Sequence, residues 1–358
     1  MTRRVGLAVF TTQTSHRHVV SERPNAPHRE ALCTSVTEHV DLADCGLGPE
    51  VGELLGKYLR KSTLAWKSLN LEDNELGREG ANPIFWALRR NCSLYSLDLS
   101  RNGLGEDFGT AEDELADDDV NHGTSLTAAL EMNFTLQWLD LGNNGLSAEC
   151  GINFASALRE NPAIMCLCME GNGLDHEAGY AIADKLGGGG RRAGPDTQVK
   201  FMNLARNAIG WQGGIPLAEA LELNRTLTHL DLAANGLGHC GPVTGRAFAA
   251  AICVNTVLRH LNLRDNRLGP DAAAAIAEAL TKNNTLRVLD VFDNRLDDVA
   301  GLAYYRALVD GPRLNKTLLS LDISDVEIGR DHHAGLKKEL RKRKGEDEPE
   351  PDMSQQLF

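Results

Sequence analysis

The chain has 358 residues, of which 42% are apolar and 24% charged, and its net charge is −13. This composition allows a large core, disfavours nucleic acid or an anionic membrane as partner, and favours a protein partner with a basic patch. No apolar run approaches the ~18 residues of a membrane helix, and eight dispersed cysteines do not make a disulfide framework, so we expect a cytoplasmic location.

Residues 1–35 carry no repeating pattern and contain three histidines and two prolines. The apolar stretch at residues 5–10 follows two arginines but is too short for a signal peptide. We therefore predict an N-terminal tail or an end cap over residues 1–35.

Residues 36–343 repeat one leucine pattern, in which Leu, Leu, Leu, Asn and Leu are separated by two, one, two and one residues. Counted from Asn74, the asparagine position recurs after 28, 42, 28, 35, 28, 31, 28 and 32 residues, so the base period is 28. Degenerate copies at the two flanks place Cys45 and Val326 in this position. This periodicity predicts a stack of about ten repeats. The clearest copies are Leu94–Leu104, Leu136–Leu146, Leu227–Leu237, Leu258–Leu268 and Leu286–Leu296.

The second half of each unit predicts a helix. Apolar residues lie ten and fourteen positions after the asparagine position, for example Ile276 and Leu280, and a four-residue step puts both on one helical face. Each unit is then a strand, a turn and a helix that cannot bury its apolar face alone. Stacking gives a curved α/β solenoid, or horseshoe, with parallel strands on the concave face and helices on the convex face.

The repeated asparagines are expected to form a structural ladder that satisfies backbone groups where each strand turns. Asn-X-Ser/Thr motifs begin at Asn91, Asn133, Asn224 and Asn315, but they recur where each helix ends, so their place in the repeat explains them without glycosylation. The predicted ladder residues are Asn74, Asn102, Asn144, Asn172, Asn207, Asn235, Asn266 and Asn294.

This pattern resembles the ribonuclease-inhibitor type of leucine-rich repeat, over residues 36–343. The resemblance implies the horseshoe fold and a protein-protein interaction scaffold that binds a partner on its concave face. Relatives include the activator of the Ran GTPase, innate immune receptors and axonemal proteins. It therefore leaves two alternatives open, which are activation of a Ran-like small GTPase and a structural role in the cilium or cytoskeleton.

Two insertions interrupt the repeats. The first, at about residues 105–119, is an acidic loop that is either a tolerated surface loop or a contact arm for a basic partner, and it lacks the ligand spacing of a calcium-binding hand. The second, at about residues 187–196, is glycine-rich, and we interpret it as a surface loop. The acidic loop contains Glu112, Asp113, Glu114, Asp117, Asp118 and Asp119.

The last repeat ends in a basic helix over residues 337–344, whose polar outer face suits a terminal cap. Nuclear localisation or nucleic-acid binding by this basic run is the alternative. Residues 344–358 are acidic and proline-broken, and this composition predicts a disordered tail.

Strand residues between the leucines should point onto the concave face. One column carries six aspartates among ten residues, and the column two residues earlier carries aromatic rings. We predict a partner site there, of aromatic anchors rimmed by charge, or else rings that pack only on each other between strands. The predicted partner-binding residues are Trp138, Asp140, Phe201, His229, Asp231, His260, Arg264, Asp290 and Phe292, with Phe292 exposed.

No pattern in the sequence indicates catalysis. His229 and His260 with Asp231 and Asp290 occupy adjacent predicted strands, but an open arc offers no pocket that excludes water. The Cys166-Leu-Cys168 pair lacks the spacing of a zinc site. We therefore predict no enzyme activity, no metal and no cofactor, and the oligomeric state is left open.

Overall fold

The computed structural model describes residues 38–61, 66–109, 126–187, 197–323, 326 and 328–344. Ten strands alternate with ten helices along this part of the chain. The strands are β1 His39–Asp41, β2 Ser68–Asn70, β3 Ser96–Asp98, β4 Trp138–Asp140, β5 Cys166–Cys168, β6 Phe201–Asn203, β7 His229–Asp231, β8 His260–Asn262, β9 Val288–Asp290 and β10 Ser320–Asp322. The helices are α1 Pro49–Leu59, α2 Gly77–Leu88, α3 Leu126–Met132, α4 Ala148–Glu160, α5 His176–Leu186, α6 Gly210–Leu223, α7 Val243–Val254, α8 Pro270–Leu280, α9 Asp298–Leu308 and α10 Arg330–Lys344.

The strands form one parallel sheet in chain order from β1 to β10. Each strand pairs without a register slip, so that Leu230 lies opposite Leu261 and Leu261 lies opposite Leu289. The middle residue of each strand from β1 to β9 is buried against the helices, and in β2–β4 and β6–β9 its two neighbours are half-exposed on the other face. The predicted α/β leucine-rich repeat solenoid is confirmed.

The helices begin where local chemistry favours a start. Pro49 and Pro270 occupy the first position of α1 and α8, where a missing N–H costs no hydrogen bond. Asp175 and Asp297 cap α5 and α9 by accepting hydrogen bonds from backbone N–H groups of the first turn. The apolar faces of these helices pack on the sheet and make one continuous core.

A ladder of asparagine side chains, all buried except the half-buried Asn172, runs along the turns that follow the strands. The Asn102 Oδ1 accepts the N–H groups of Asn74 and Leu76 of the preceding repeat, and its Nδ2 lies 2.8 Å from the Leu71 carbonyl oxygen. Asn144 repeats the pattern by accepting from the N–H of Asn102 at 2.8 Å. Each side chain therefore joins two repeats. The same bonding is made, wholly or in part, by Asn74, Asn172, Asn207, Asn235, Asn266 and Asn294.

A second asparagine ladder lies at the opposite edge, where each helix ends. The Asn283 Nδ2 donates to the carbonyl oxygens of Ile252 and Asn255, and its Oδ1 accepts the N–H groups of Thr285 and Leu286. Asn133, Asn224 and Asn315 of the Asn-X-Ser/Thr motifs belong to this ladder and are at most 2% exposed. Because their Nδ2 atoms are buried donors, these motifs serve the fold, and the sequence had shown only that they recur at helix ends.

Helix α10 closes the last repeat through one of its basic residues. Arg343 donates to the carbonyl oxygens of Leu308 and Leu318 at 2.7 and 3.2 Å and pairs with Glu339 at 3.0 Å. Its side chain is only 9% exposed. Arg343 thus takes over at the end of the stack the carbonyl contacts that the asparagines make between repeats, as expected for a terminal cap.

Several sequence predictions fall on residues outside the described ranges. These are the N-terminal segment 1–35, the acidic-loop residues Glu112, Asp113, Glu114, Asp117, Asp118 and Asp119, residues 188–196 of the glycine-rich insertion, and the tail beyond residue 344. Within the described ranges, all seven cysteines are free thiols, and no helix there combines the length and the apolar character needed to cross a bilayer.

Candidate interaction surface on the concave sheet

The first residues of strands β4–β9 form a row across the concave face, here called the aromatic row. Because the strands pair in register, each side chain of the row is the direct neighbour of the next. The aromatic row consists of Trp138, Cys166, Phe201, His229, His260 and Val288.

Three rings of this row contact one another. The ring centroids of Phe201 and His229 lie 5.9 Å apart, and those of His229 and His260 lie 4.0 Å apart. Trp138 is separated from Phe201 by the buried thiol of Cys166. All three rings and the Trp138 indole remain half-exposed, so packing between strands and an accessible apolar surface coexist here.

The two histidines of the row are neutral at physiological pH. Burial lowers the pKa of His229 to about 4, with further contributions from His260 and Arg259. Burial likewise lowers the pKa of His260. The His229 Nδ1 lies 2.8 Å from the Thr228 hydroxyl oxygen, whereas its buried Nε2 has no hydrogen-bond partner among the described residues. The row is thus uncharged from Trp138 to Val288.

The aspartates at the last position of strands β3, β4, β7 and β9 hold the turns that follow these strands. The Oδ1 atoms of Asp98, Asp140, Asp231 and Asp290 each accept the backbone N–H of the residue two positions later, at 2.8–2.9 Å. Such a contact fixes the turn that leaves the strand. Asp231 is engaged at both oxygens, since its Oδ2 accepts from Asn262. Much of the acidic stripe is therefore committed to the repeat itself.

Burial raises the pKa of all four carboxyl groups. The effect is largest at Asp140, whose pKa rises to about 6 because burial is reinforced by the neighbouring charge of Asp98. Burial and the charge of Asp140 in turn raise the pKa of the Cys168 thiol in the next strand, which stays protonated. Asp140 therefore takes up a proton at a higher pH than an ordinary aspartate does.

We expect the substitution Asp140→Asn to make the protein more stable at pH 8. A folded-state pKa above the ordinary value stabilises the fold at low pH, and this contribution disappears as the pH rises through about 6. Asparagine keeps the acceptor for the Gly142 N–H without the buried charge, as Asn203 and Asn262 do at the same position. The gain at pH 8 should be about 2 kcal/mol and should vanish near pH 4.

Urea denaturation of both proteins between pH 4 and pH 8 measures this difference. The control is Asp265→Asn, which changes an exposed carboxylate in a turn, and its difference from the wild type should not depend on pH in the same way. A pH-independent effect of Asp140→Asn would show that the buried charge of Asp140 does not destabilise the fold.

Two residues beyond the ends of β8 and β9, an arginine side chain lies over an aromatic ring. The Arg264 guanidinium carbon lies 4.3 Å from the centroid of the Phe292 ring in the next repeat. Phe292 is half-exposed, as the rings of the aromatic row are, and the neighbouring arginine covers one face of its ring. Nearby, Glu170 pairs with Arg206 at 3.5 Å and accepts a hydrogen bond from Asn203.

The arrangement does not build an acid–base pair. His229 contacts a hydroxyl, and Asp231 is held by Ala233 and Asn262, so no described contact joins the two. Within the described ranges, no three side chains of histidine, cysteine, aspartate or glutamate gather in a way that could hold a metal ion. The side chains of this surface can make apolar contacts, stack on other rings and form hydrogen bonds.

The structure brings the predicted residues into two groups. Phe201, His229 and His260 lie together in the aromatic row, and Arg264 lies on Phe292. Trp138 extends the row beyond Cys166, and Asp140, Asp231 and Asp290 run beside it. Cys166 was not among the predicted residues. Its place between Trp138 and Phe201 follows from the repeat register, which is the signal that identifies it.

Comparison with known proteins supports the repeat assignment. The leucine-rich repeat family model matches residues 223–239, 254–277 and 282–303, within repeats that contain β7, β8 and β9. The mouse NACHT, LRR and PYD domains-containing protein 12 is 27% identical over 74% of this chain and 26% of its own length. The bovine NACHT, LRR and PYD domains-containing protein 5 is 32% identical over 55% of this chain and 16% of its own length.

Among solved structures, the leucine-rich repeat-containing protein LegL7 from Legionella pneumophila is similar with a TM-score of 0.46 and 16% identity, over 87% of this chain and 99% of that one. The alignments with the two NACHT, LRR and PYD domains-containing proteins span about a quarter or less of those proteins' length.

Proposed function

We propose that this chain, a leucine-rich repeat protein, is a non-enzymatic scaffold that binds a protein partner at the aromatic row of its concave sheet. One observation carries the proposal, namely an electrically neutral row of half-exposed rings from β4 to β8 that is interrupted only at β5, by Cys166. Aromatic side chains at the centre of a surface are the usual anchors of protein interfaces. The pairing of successive strands holds these rings at fixed positions before a partner arrives.

The rim of the row suits a partner that carries basic side chains around an apolar anchor. Asp140, Asp231 and Asp290 lie two residues beyond the row on the same strands, and each keeps part of its side chain exposed. The net charge of −13 favours the approach of such a partner over long distances.

The double substitution Trp138→Ala and Phe201→Ala tests the proposal. Loss of two central aromatic anchors should weaken partner binding about a hundredfold or more, because the partner's apolar contact surface is lost. Captured proteins are compared quantitatively by mass spectrometry between wild type and variant. Each single substitution is measured as well, so that a folding defect in the double variant does not decide the result.

Phe134→Ala is the matched control. Phe134 is 61% exposed and lies in the segment between α3 and β4, outside the aromatic row. This variant should retain every partner that the wild type captures. Equal capture by the double variant and the wild type, with equal thermal stability, contradicts docking at the aromatic row. Loss of partners by the control alone contradicts it as well.

A further inference from the structure

A line of cations lies at the edge of the sheet where strands β6–β9 begin. The residues that directly precede these strands are joined by backbone hydrogen bonds, from Thr228 N to Lys200 O, from Arg259 N to Thr228 O and from Arg287 N to Arg259 O, at 2.7–2.8 Å. Lys200, Arg259 and Arg287 are all exposed. They are called the basic edge below.

No carboxylate among the described residues forms an ion pair with the basic edge. At the start of the stack, by contrast, the basic residue in the equivalent position does have an acidic partner. There Lys67, directly before β2, pairs with Glu38, directly before β1, at 2.8 Å. The connecting segments 224–228, 255–259, 283–287 and 315–319 contain arginine and lysine but no aspartate or glutamate. The equivalent segments 91–95, 133–137 and 161–165 also lack acidic residues but carry no arginine or lysine, so that, apart from Lys67, the basic residues of this position are confined to the later repeats.

An open groove of about 430 Å³ lies against the basic edge. Arg259 and Arg287 are among the residues that line it, together with threonine and asparagine residues that can form hydrogen bonds. Planar guanidinium groups are suited to paired hydrogen bonds with carboxylates. The positive charge of Arg259 acts on the two histidines of the aromatic row, since it helps to lower the pKa of His229 and of His260. The remaining lining residues are Thr228, Thr256, Val257, Asn284 and Thr285.

Exposed apolar side chains end the two helices that lead into strands β7 and β8. Leu223 is 61% exposed at the end of α6, and Val254 is 52% exposed at the end of α7, each directly before an asparagine of the second ladder. A free inorganic anion makes no use of such groups, whereas a peptide carries both carboxylates and apolar side chains. Lys200 and Arg287 are three strands apart, a span of roughly 14 Å that about four to five extended residues cover.

We propose that the basic edge and its groove bind an extended acidic peptide segment of a protein partner, which crosses strands β6–β9 at their beginning. Carboxylates of the segment pair with Arg259 and Arg287, and Lys200 extends the site toward β6. This site is distinct from the aromatic row and prefers the opposite charge. One partner can therefore bind at both surfaces. A basic and apolar region of the partner contacts the concave face, and an acidic strand of the partner contacts the basic edge.

Fluorescence polarisation with a labelled oligoglutamate peptide tests this proposal on the full chain. The double substitution Arg259→Gln and Arg287→Gln should weaken binding about tenfold or more. Replacement of the same arginines by lysine should retain part of the affinity, since the charge remains while the paired geometry is lost. All substituted side chains are exposed, so the melting temperature should not change.

The matched control is Lys337→Gln with Arg341→Gln, which removes two exposed charges from the basic helix α10. This variant should bind the peptide as the wild type does. Three results would overturn the proposal: no binding by the wild type, a greater loss in the α10 variant than in the Arg259 and Arg287 variant, or complete displacement of the peptide by millimolar phosphate. None of these results bears on the aromatic row, whose test is independent.

Discussion

Replacement of Asn266 by alanine should lower the free energy of unfolding by about 3 kcal/mol or more, since buried backbone groups lose their partners at ~1–3 kcal/mol each. Its Oδ1 accepts the N–H groups of Asn235 and Leu237 at 2.9 and 3.2 Å. Its Nδ2 lies 2.8 and 3.0 Å from the carbonyl oxygens of Leu232 and Leu263. Asn266 is completely buried, so water cannot replace these bonds.

The effect should also be local, because each repeat contacts only its neighbours. Urea denaturation gives the stability, and hydrogen exchange should show faster exchange at the amides of Asn235 and Leu237. Asn284→Ala is the control, since Asn284 is exposed and makes no bond of the ladder, and it should change the stability by less than about 0.5 kcal/mol. Equal stability losses in the two variants would mean that the ladder does not hold adjacent repeats together.

The second large effect is expected at Gly245, where helices α7 and α8 make their close contact. A Cβ atom at Gly245 would lie 2.2 Å from the Cβ and 3.0 Å from the Cα of Ala272. Ala272 is completely buried, so the two helices must separate to accept a larger side chain. Gly245→Val should therefore destabilise the protein by about 2–3 kcal/mol, as overpacked cores do, although valine favours the helical conformation more than glycine does.

Ala250→Val, in the same helix, is the control for this prediction. Ala250 is exposed, so its replacement should cost only the propensity difference of about 0.5 kcal/mol. Thermal unfolding of both variants separates the two causes. If Gly245→Val melts at the wild-type temperature, the absence of a side chain at this contact is not required for the stacking of α7 on α8.

The fold could be predicted from the sequence because the residue spacing within each repeat indicates both its strand and its helix. The leucine spacing identifies strand residues and the four-residue helical step identifies the buried face, as Leu230 and Ile276 illustrate. The second asparagine ladder was harder to foresee. Asn255 and Asn283 each lie three residues before the first leucine of a repeat, and their role depends on carbonyl groups that only the stacked neighbour supplies.

The sequence predicted which residues lie next to one another in the candidate site, but not their burial or their pKa values. The register gives the neighbours of Phe201 and His229, whereas the depressed pKa of His229 depends on burial by surrounding groups. One face of the Phe292 ring is covered because the side chain of Arg264 turns toward it. The basic edge escaped prediction since Arg259 and Arg287 are isolated in the sequence and become neighbours only through the pairing of β8 with β9.

Docking at the aromatic row is tested most directly by the dissociation constant of a captured partner, purified and titrated by calorimetry against three proteins. The wild type and Phe134→Ala should bind with the same affinity. The variant with Trp138→Ala and Phe201→Ala should bind about a hundredfold more weakly while it melts at the wild-type temperature. An unchanged dissociation constant for this folded variant would contradict the proposal that the partner docks on the concave row.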